Sequence, residues 1–548
     1  MRNLKRALSL ALASVMLLGM MVVGSSAKGI DDFTDKAEIV NQDAVAVTSA
    51  IGMFEGYEDG SFGPENVVTR AEMAVIICTM LYGAGVNVNQ FAETNVFTDV
   101  PAWAQGYVNL CSSLGIVAGV GEGKFDPNAT VTTAQAVLML CRALGYFQSA
   151  ADFGDNWMLA ATAKGTQLGL YGDLKLTANE GLTRDNVAEL VFNALTKAVP
   201  VQYNELLGVY YNENQGIIYS LEFNYLQTLG YKNFDLVYRT DTETIYGRPA
   251  TTWGTGTYNV PTNAGTTQKD KYLTGEGGLI ADQVRMLDKD EIITVPNTPD
   301  YVYTANTDEQ DVYKDLGATV CNNARNQDEE YTWTVFVNGE EVFSGVTNET
   351  KNGEIPGLND DATYGADDEK NLIPENEKTK YQFTDKGTVT EIYIDDYTLD
   401  VTVVEINYYL GEVTTVKDDD DGTYVSVRAL SDEPKSLDDR TFYTSDFEED
   451  DYVVFTVDFD EDEDFYICEL MAPETVTGEV TRVDKNTGES DEDNDNTYVR
   501  IDGNKYTYAS KNHNVYDLDE GKRQHPHSER GLHPVHDSRG IYPGLRSS

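Results

Sequence analysis

One arginine stands where helix physics disfavours a cation. Thr69-Arg70-Ala71-Glu72 has the form of a capping box, a threonine with a glutamate three residues on, just ahead of an apolar run. Arg70 then occupies the first helical position and faces the positive end of the helix dipole, at a cost of ~0.3–1 kcal/mol. The same helix end offers free N–H groups to an anion. An arginine beside them adds bidentate recognition of a carboxylate. The chemistry suggested is anion binding. The alternative is a surface arginine whose stem lies over the preceding loop, or one paired with Asp35 or Asp155.

Other chemistries find less support. All five histidines fall at or beyond His513, so residues 1–512 hold none. A Ser-His-Asp triad, a Cys-His dyad or an H-E-x-x-H zinc site cannot be assembled there. No G-x-x-x-x-G-K-[ST] phosphate loop occurs, and Gly119-Val120-Gly121-Glu122-Gly123 reads as a turn. The five cysteines form no C-x-x-C pair, and Cys78 and Cys141 lie in apolar helical patterns as small hydrophobes. Neither a disulfide framework nor a zinc site is expected. Two acidic runs invite a calcium reading, 418–421 and 484–495, the second with oxygen ligands such as Asp484, Asn486, Asp491 and Asp493. It lacks EF-hand spacing, and a solvated turn is the competing reading. No other cofactor is expected.

The arginine belongs to a repeat. "FTDKAEIVNQDAVAVTSAIGMFEGYEDGSF" begins at Phe33, and related stretches run from Phe97 to Tyr146 and from Phe153 to Leu195. Each has an F-x-D opening, a first helix ending in glycine, a Gly/Asp turn, then threonine and a second helix. The capping threonines Thr69, Thr132 and Thr183 are spaced by 132 − 69 = 63 and 183 − 132 = 51 residues. Met73/Ala74, Ile77 and Met80/Leu81 form one apolar helical face, which a lone hairpin could not bury. Phe62 and Phe125 are expected to plug the gaps between helices, with Pro64 and Pro127 barring helix before the cap.

The pattern F-x-D…W-A…G-I…G-x-x-x-G-x-F-x-P…T-R-A-E resembles the S-layer homology (SLH) module in its usual set of three. The resemblance covers roughly residues 30–200. It implies a mostly helical, pseudo-threefold prism. It also implies non-covalent attachment to anionic, often pyruvylated, secondary cell-wall polysaccharide in grooves between repeats. The family's anion-contacting arginine maps onto Arg70 and Arg184. The second copy reads Thr132-Thr133-Ala134-Gln135, so Thr133 replaces the arginine while Gln135 can keep the box. The third reads Thr183-Arg184-Asp185-Asn186, with the arginine and a weaker box. The family's aromatic is present at Trp103 and Trp157 and absent from the first copy. At most two strong pockets are therefore expected. Asp35, Asp99 and Asp155 could orient the arginines or accept sugar hydroxyls, with loop or capping duty as the alternative.

The rest of the chain sets the context. Arg2, Lys5 and Arg6, an apolar run from Ala7 to Val23 and Ser25-Ser26-Ala27 read as a secretory signal, with an uncleaved anchor as the alternative. The expected location is the cell wall, surface layer or cell surface, with no membrane contact after signal cleavage. Against 40 Lys and Arg stand 92 Asp and Glu, a net charge of −52, which repels nucleic acid.

The predicted fold is multidomain: a mostly α-helical three-repeat prism, then β-rich modules of small antiparallel sheet or barrel. Domains are assigned as 1–27 signal, 28–200 repeats (33–85, 97–146 and 153–198), 201–400 mixed and mainly β, 401–475 an acidic β module, and 476–520 its truncated second copy. "GEVTTVKDDDDGTYVSV" at Gly411 and "GEVTRVDKNTGESDEDNDNTYVRI" at Gly478 carry that second repeat. Residues 521–548 are basic and histidine-containing and are expected to be disordered. "YTWTVFVNGEEVFSGV" predicts a hairpin around Asn338-Gly339. The functional expectation is a non-catalytic anchor whose acidic region forms or decorates a surface layer, with self-association. The alternatives are an anchored two-carboxylate glycosidase or an adhesin using aromatics such as Trp253 or Trp333.

Overall fold

The computed structural model describes residues 29–93, 96–204, 209–212, 216–217, 225–258, 284–304, 307–308, 312, 314–317, 320, 331–346, 382–384, 387–395, 398–430, 437–460, 464–484 and 498–507. The signal segment, the five histidines and three of the calcium candidates (Asn486, Asp491 and Asp493) lie outside them. Two compact units emerge, residues 1–242 with 251–295, and residues 243–250 with 296–548.

The first unit carries the helices α1 (Gln42–Ala50), α2 (Arg70–Tyr82), α3 (Asn89–Ala92), α4 (Ala102–Ser113), α5 (Thr133–Ala143), α6 (Trp157–Gln167), α7 (Arg184–Thr196) and α8 (Leu229–Phe234). The capping signals operate as written. Thr69 Oγ1 accepts from Glu72 N at 3.3 Å, and Glu72 Oε2 accepts from Thr69 N at 2.7 Å. Gln135 Oε1 accepts from Thr132 N at 3.3 Å, and Thr183 Oγ1 accepts from Asn186 N at 3.3 Å.

The helices pack across segments, burying the faces that a lone hairpin could not. Each second helix lies against the first helix of another segment: α2 against α4, α5 against α6, and α7 against α1. These contacts close a cycle. Backbone hydrogen bonds close a second one at its centre, from Val68 N to Leu182 O, Leu182 N to Val131 O and Val131 N to Val68 O. The helix starts then reach across the same joints. Arg70 N and Ala71 N donate to Ala129 O and Pro127 O, Thr133 N and Ala134 N to Glu180 O and Ala178 O, and Arg184 N and Asp185 N to Asn66 O and Pro64 O. The prolines thus also supply acceptors for N–H groups that a helix start leaves free.

This arrangement explains why α2 is buried nearly all round rather than on one face. Met73, Ile76, Ile77, Cys78 and Met80 are all sealed from solvent. A helix enclosed by neighbours has no polar stripe to display. Phe62 and Phe125 are both 0 % exposed, and they fill the gaps where expected.

The unit ends in strands β1 (Gln202–Asn204), β2 (Val209–Asn212) and β3 (Gly216–Ile217), then a sheet of β4 (Leu236–Thr244), β5 (Arg248–Tyr258) and β6 (Val284–Pro296). Helix α8 is followed after Asp235 by strand β4. Trp253 meets Phe192 edge-on at 5.0 Å and serves the core.

The second unit holds β7 (Tyr301–Tyr303), β8 (Thr307–Asp308), β9 (Thr332–Val337), β10 (Glu340–Val346), β11 (Gln382–Thr384), β12 (Thr388–Asp395) and β13 (Asp400–Asn407). The sheet order β10-β9-β13-β12-β7 contains a parallel pair, β9 with β13. Strands β14 (Tyr409–Asp418), β15 (Thr423–Ala429), β16 (Leu437–Asp439), β17 (Thr441–Tyr443), β18 (Tyr452–Asp460) and β19 (Asp464–Met471) follow in the order β16-β19-β18-β14-β15-β17. Only Arg440 separates the two edge strands β16 and β17, so this sheet curls nearly into a barrel. Its β16–β19 pair is parallel. The expectation of purely antiparallel modules is therefore corrected: alternation along a strand sets its buried face and not the direction of its partner.

Strands β20 (Val480–Asp484), β21 (Tyr498–Ile501) and β22 (Asn504–Thr507) form an antiparallel meander. It reproduces the β14-β15-β17 pairing, as the Gly411 and Gly478 repeat suggests. Trp333 is 0 % exposed and belongs to the core.

The Asn338-Gly339 turn joins β9 to β10, with φ of 52° and 87°. These left-handed values suit Asn and Gly. A Cβ at Gly339 would run into the Asp458 carboxylate and the Phe459 backbone. Gly339→Ala is expected to destabilise the second unit by about 1–3 kcal/mol, read as a lower denaturant midpoint at unchanged slope.

Candidate functional site

The two arginines occupy equivalent positions, each reaching across a joint into the loop of another repeat. Arg70 Nε donates to Phe125 O at 3.0 Å and its Nη2 to Ala118 O at 3.0 Å. Arg184 Nε donates to Phe62 O at 2.9 Å and its Nη2 to Glu55 O at 2.8 Å. Phe125 and Phe62 precede the F-x-P prolines, and Ala118 and Glu55 precede the first turn glycine. In each case the side chain at the helix start spans to carbonyls of a neighbouring loop. No ion pair joins either arginine to a carboxylate among the described residues.

The two sites differ in access. Arg184 is 6 % exposed, with its guanidinium over the rings of Phe62, Tyr57 and Phe54 at 4.8, 5.0 and 5.5 Å. Arg70 is half-buried and, among the described residues, lies over the ring of Phe125 alone, at 4.6 Å, beside the exposed turn 118–124. Burial lowers both guanidinium pKa values from the ordinary one, opposed at Arg70 by Asp126 and Asp99, and at Arg184 by Tyr57, Glu72 and Asp35. Arg70 is thus the more open cation.

The aspartates build the loops that the arginines grip. Asp35 carboxylate oxygens accept from Phe62 N at 2.7 Å and Gly63 N at 2.8 Å. Asp99 does the same for Phe125 N and Asp126 N, both at 2.8 Å. Burial would raise the Asp99 pKa, but these backbone bonds outweigh it and hold the group below its usual value. Asp35 therefore braces the loop held by Arg184, and Asp99 the loop held by Arg70. Asp155 is exposed.

Trp103 is half-buried against the helical core, whereas Trp157, at the start of α6, is 39 % exposed. No hydrogen bond or ring contact brings either tryptophan to an arginine among the described residues. At the remaining joint Thr133, 1 % exposed, donates through Oγ1 to Glu180 O at 3.2 Å, so no cation is offered there. Sequence reasoning missed the carbonyl partners of the arginines, whose only sequence signal is the shared register of each T-R pair with a G-x-x-x-G-x-F loop elsewhere in the chain.

Beside Arg184, Asp185 accepts from Asn41 N at 3.1 Å, and burial raises its pKa. Burial also raises the Glu189 pKa. A carboxyl with a raised folded pKa binds its proton more tightly when folded. Stability from these two groups is present below the ordinary carboxylate range and is lost as pH rises through the raised values. The thermal midpoint of an Asp185→Asn variant is expected to fall less than wild type's as pH rises through that window.

The acidic turns have local duties. Asp419 accepts from Asp421 N at 2.9 Å, Gly422 N at 3.1 Å and Tyr443 Oη at 2.9 Å. No group of three or more His, Cys, Asp or Glu is arranged to hold a metal ion among the described residues. Asp484 ends strand β20.

The family model for the S-layer homology domain matches residues 32–74 and 96–137. A "Cell surface protein" of Thermoanaerobacter kivui is 35% identical over 198 residues, 36% of this chain and 25% of that protein. A "Middle cell wall protein" of Brevibacillus brevis is 31% identical over 196 residues, 35% of this chain and 18% of that protein. A "Surface layer protein" of Brevibacillus choshinensis is 31% identical over 210 residues, 37% of this chain and 17% of that protein. The chain thus spans a quarter or less of the length of these relatives. Residues 32–74 and 96–137 carry S-layer homology domains, and the relatives just described are named as cell-surface, cell-wall and surface-layer proteins. Among the described residues no helix is long and apolar enough to cross a membrane.

Proposed function

We propose that this protein is held non-covalently at the cell surface by three SLH repeats, the third formed by residues 153–198. They would bind anionic secondary cell-wall polysaccharide, whose carboxylates, such as pyruvyl ketals, Arg70 contacts. Arg184 serves chiefly to hold its joint closed. The observation that carries this reading is the half-buried Arg70 at a helix start beside an exposed turn, in a chain whose SLH repeats match the family. The helix N-terminus and the guanidinium favour the same anion.

The acidic β-rich region is assigned a structural part in a surface layer, with self-association and without catalysis of its own. A chain at −52 approaches an anionic wall against repulsion. Screening over ~8 Å at physiological salt confines that repulsion to near contacts. The test is sedimentation of the full chain with purified cell walls before and after chemical removal of the acidic polymer. Retention should be lost with the polymer. Equal retention on stripped walls would exclude it as the ligand.

A further inference from the structure

The cyclic packing brings together a pair of cysteines that the sequence presents 33 residues apart. Cys78 on α2 and Cys111 on α4 are both 0 % exposed, and their sulfurs lie 3.5 Å apart. We propose that Cys78 and Cys111 form a disulfide in the exported protein, covalently locking the joint into which Arg70 reaches.

Comparison of the three joints isolates this pair. Cys78 and Cys141 each stand nine residues after a capping threonine, where the third segment has Phe192. On the facing first helices the position of Cys111 is taken by Gly165 on α6, counted from the shared Leu-Gly that follows, and by Thr48 on α1 from the matching Ile-Gly. Packing agrees with that register. Cys111 Sγ contacts Ala74 O, five residues past Thr69, and a Cβ at Gly165 would meet Val137, five past Thr132. Cys141 therefore faces a glycine and, among the described residues, lacks a sulfur partner across its joint, whereas Cys78 faces one. Export exposes a chain to compartments where disulfides persist.

The step is thiol–disulfide exchange with a small-molecule or protein disulfide as oxidant. One cysteine thiolate attacks the oxidant, forming a mixed disulfide and releasing one thiol. The second thiolate attacks the protein sulfur of that bond and releases the other thiol. The chain loses two protons and two electrons, and the oxidant gains them. The hydrogen bond to Cys78, with burial, holds the Cys111 thiol well above its usual pKa once folded. Exchange therefore belongs to folding, before the helices close. Formation of the bond draws the sulfurs from contact to ~2.05 Å.

The experiment takes full-length protein secreted through an oxidising compartment, and the same chain refolded with oxidised and reduced glutathione. Thiols are alkylated in denaturant without reductant, and digests are mapped by mass spectrometry. A linked pair of peptides carrying Cys78 and Cys111 is expected, with Cys141 alkylated. Reductant should lower the melting midpoint of the first unit by about 5 °C or more, and leave that of a Cys78→Ser, Cys111→Ser double variant unchanged. Alkylated Cys78 and Cys111 in both preparations, or linkage of either to another cysteine, would overturn the proposal.

Discussion

Arg184→Ala is expected to lower the stability of the first unit by about 4 kcal/mol, a fall in melting midpoint of roughly 8–16 °C. The guanidinium donates to two carbonyls, Phe62 O and Glu55 O, from a site that is 6 % exposed. Bonds from a charged donor contribute ~1.5–3 kcal/mol each, and three aromatic rings around the cation add to them. Truncation removes the guanidinium's bonds to both carbonyls and leaves a void among Phe54, Tyr57 and Phe62. Arg184→Lys should recover only part of the loss, because an ammonium cannot span both carbonyls with the geometry of the fork. Calorimetry on the full chain checks this. A midpoint within 2 °C of wild type would mean that Arg184 does not hold the joint.

The second large effect lies in the other unit. Arg248 Nε and Nη2 donate to the two oxygens of Glu391 at 2.7 and 2.8 Å, and Tyr393 Oη donates to Glu391 Oε2 at 2.7 Å. Side-chain exposures of 22% and 11% keep this bidentate pair from being screened as a surface pair is. The pairing raises the Arg248 pKa in spite of burial, and raises that of Tyr393 with burial as the leading cause. Removing one partner of a buried pair strands the other, at a cost of ~3–5 kcal/mol. Glu391→Ala should therefore lower the unfolding midpoint of the second unit by that amount, while retention on cell walls stays at the wild-type level. Loss of wall retention in this variant would show that anchoring depends on the β-rich unit.

Much of the first unit is legible in the sequence because its signals are local. Thr69 with Glu72, and Thr132 with Gln135, announce helix starts through bonds that span three residues. Asn338-Gly339 announces its turn for the same reason. What stays hidden depends on distant partners. The apolar positions of α2 identify residues to bury, but not that α4 rather than α1 covers them. Arg70 and Arg184 stand out as ill-placed cations, yet their acceptors lie 48–55 and 122–129 residues away. The parallel pairing of β9 with β13 is likewise unmarked in either strand. Asp35 and Asp99 read equally as ligands for a sugar or an arginine and as loop or capping residues, and only the distant loops show that their carboxylates accept backbone amides there.

If Arg70 contacts the wall polymer while Arg184 holds its joint, wall retention of full-length Arg70→Ala separates the two roles. Retention on purified walls should fall at least tenfold, or ~1.4 kcal/mol. Its melting midpoint should fall by less than that of Arg184→Ala, because Arg70 is only half-buried. Wild-type retention by a folded Arg70→Ala protein would contradict the account.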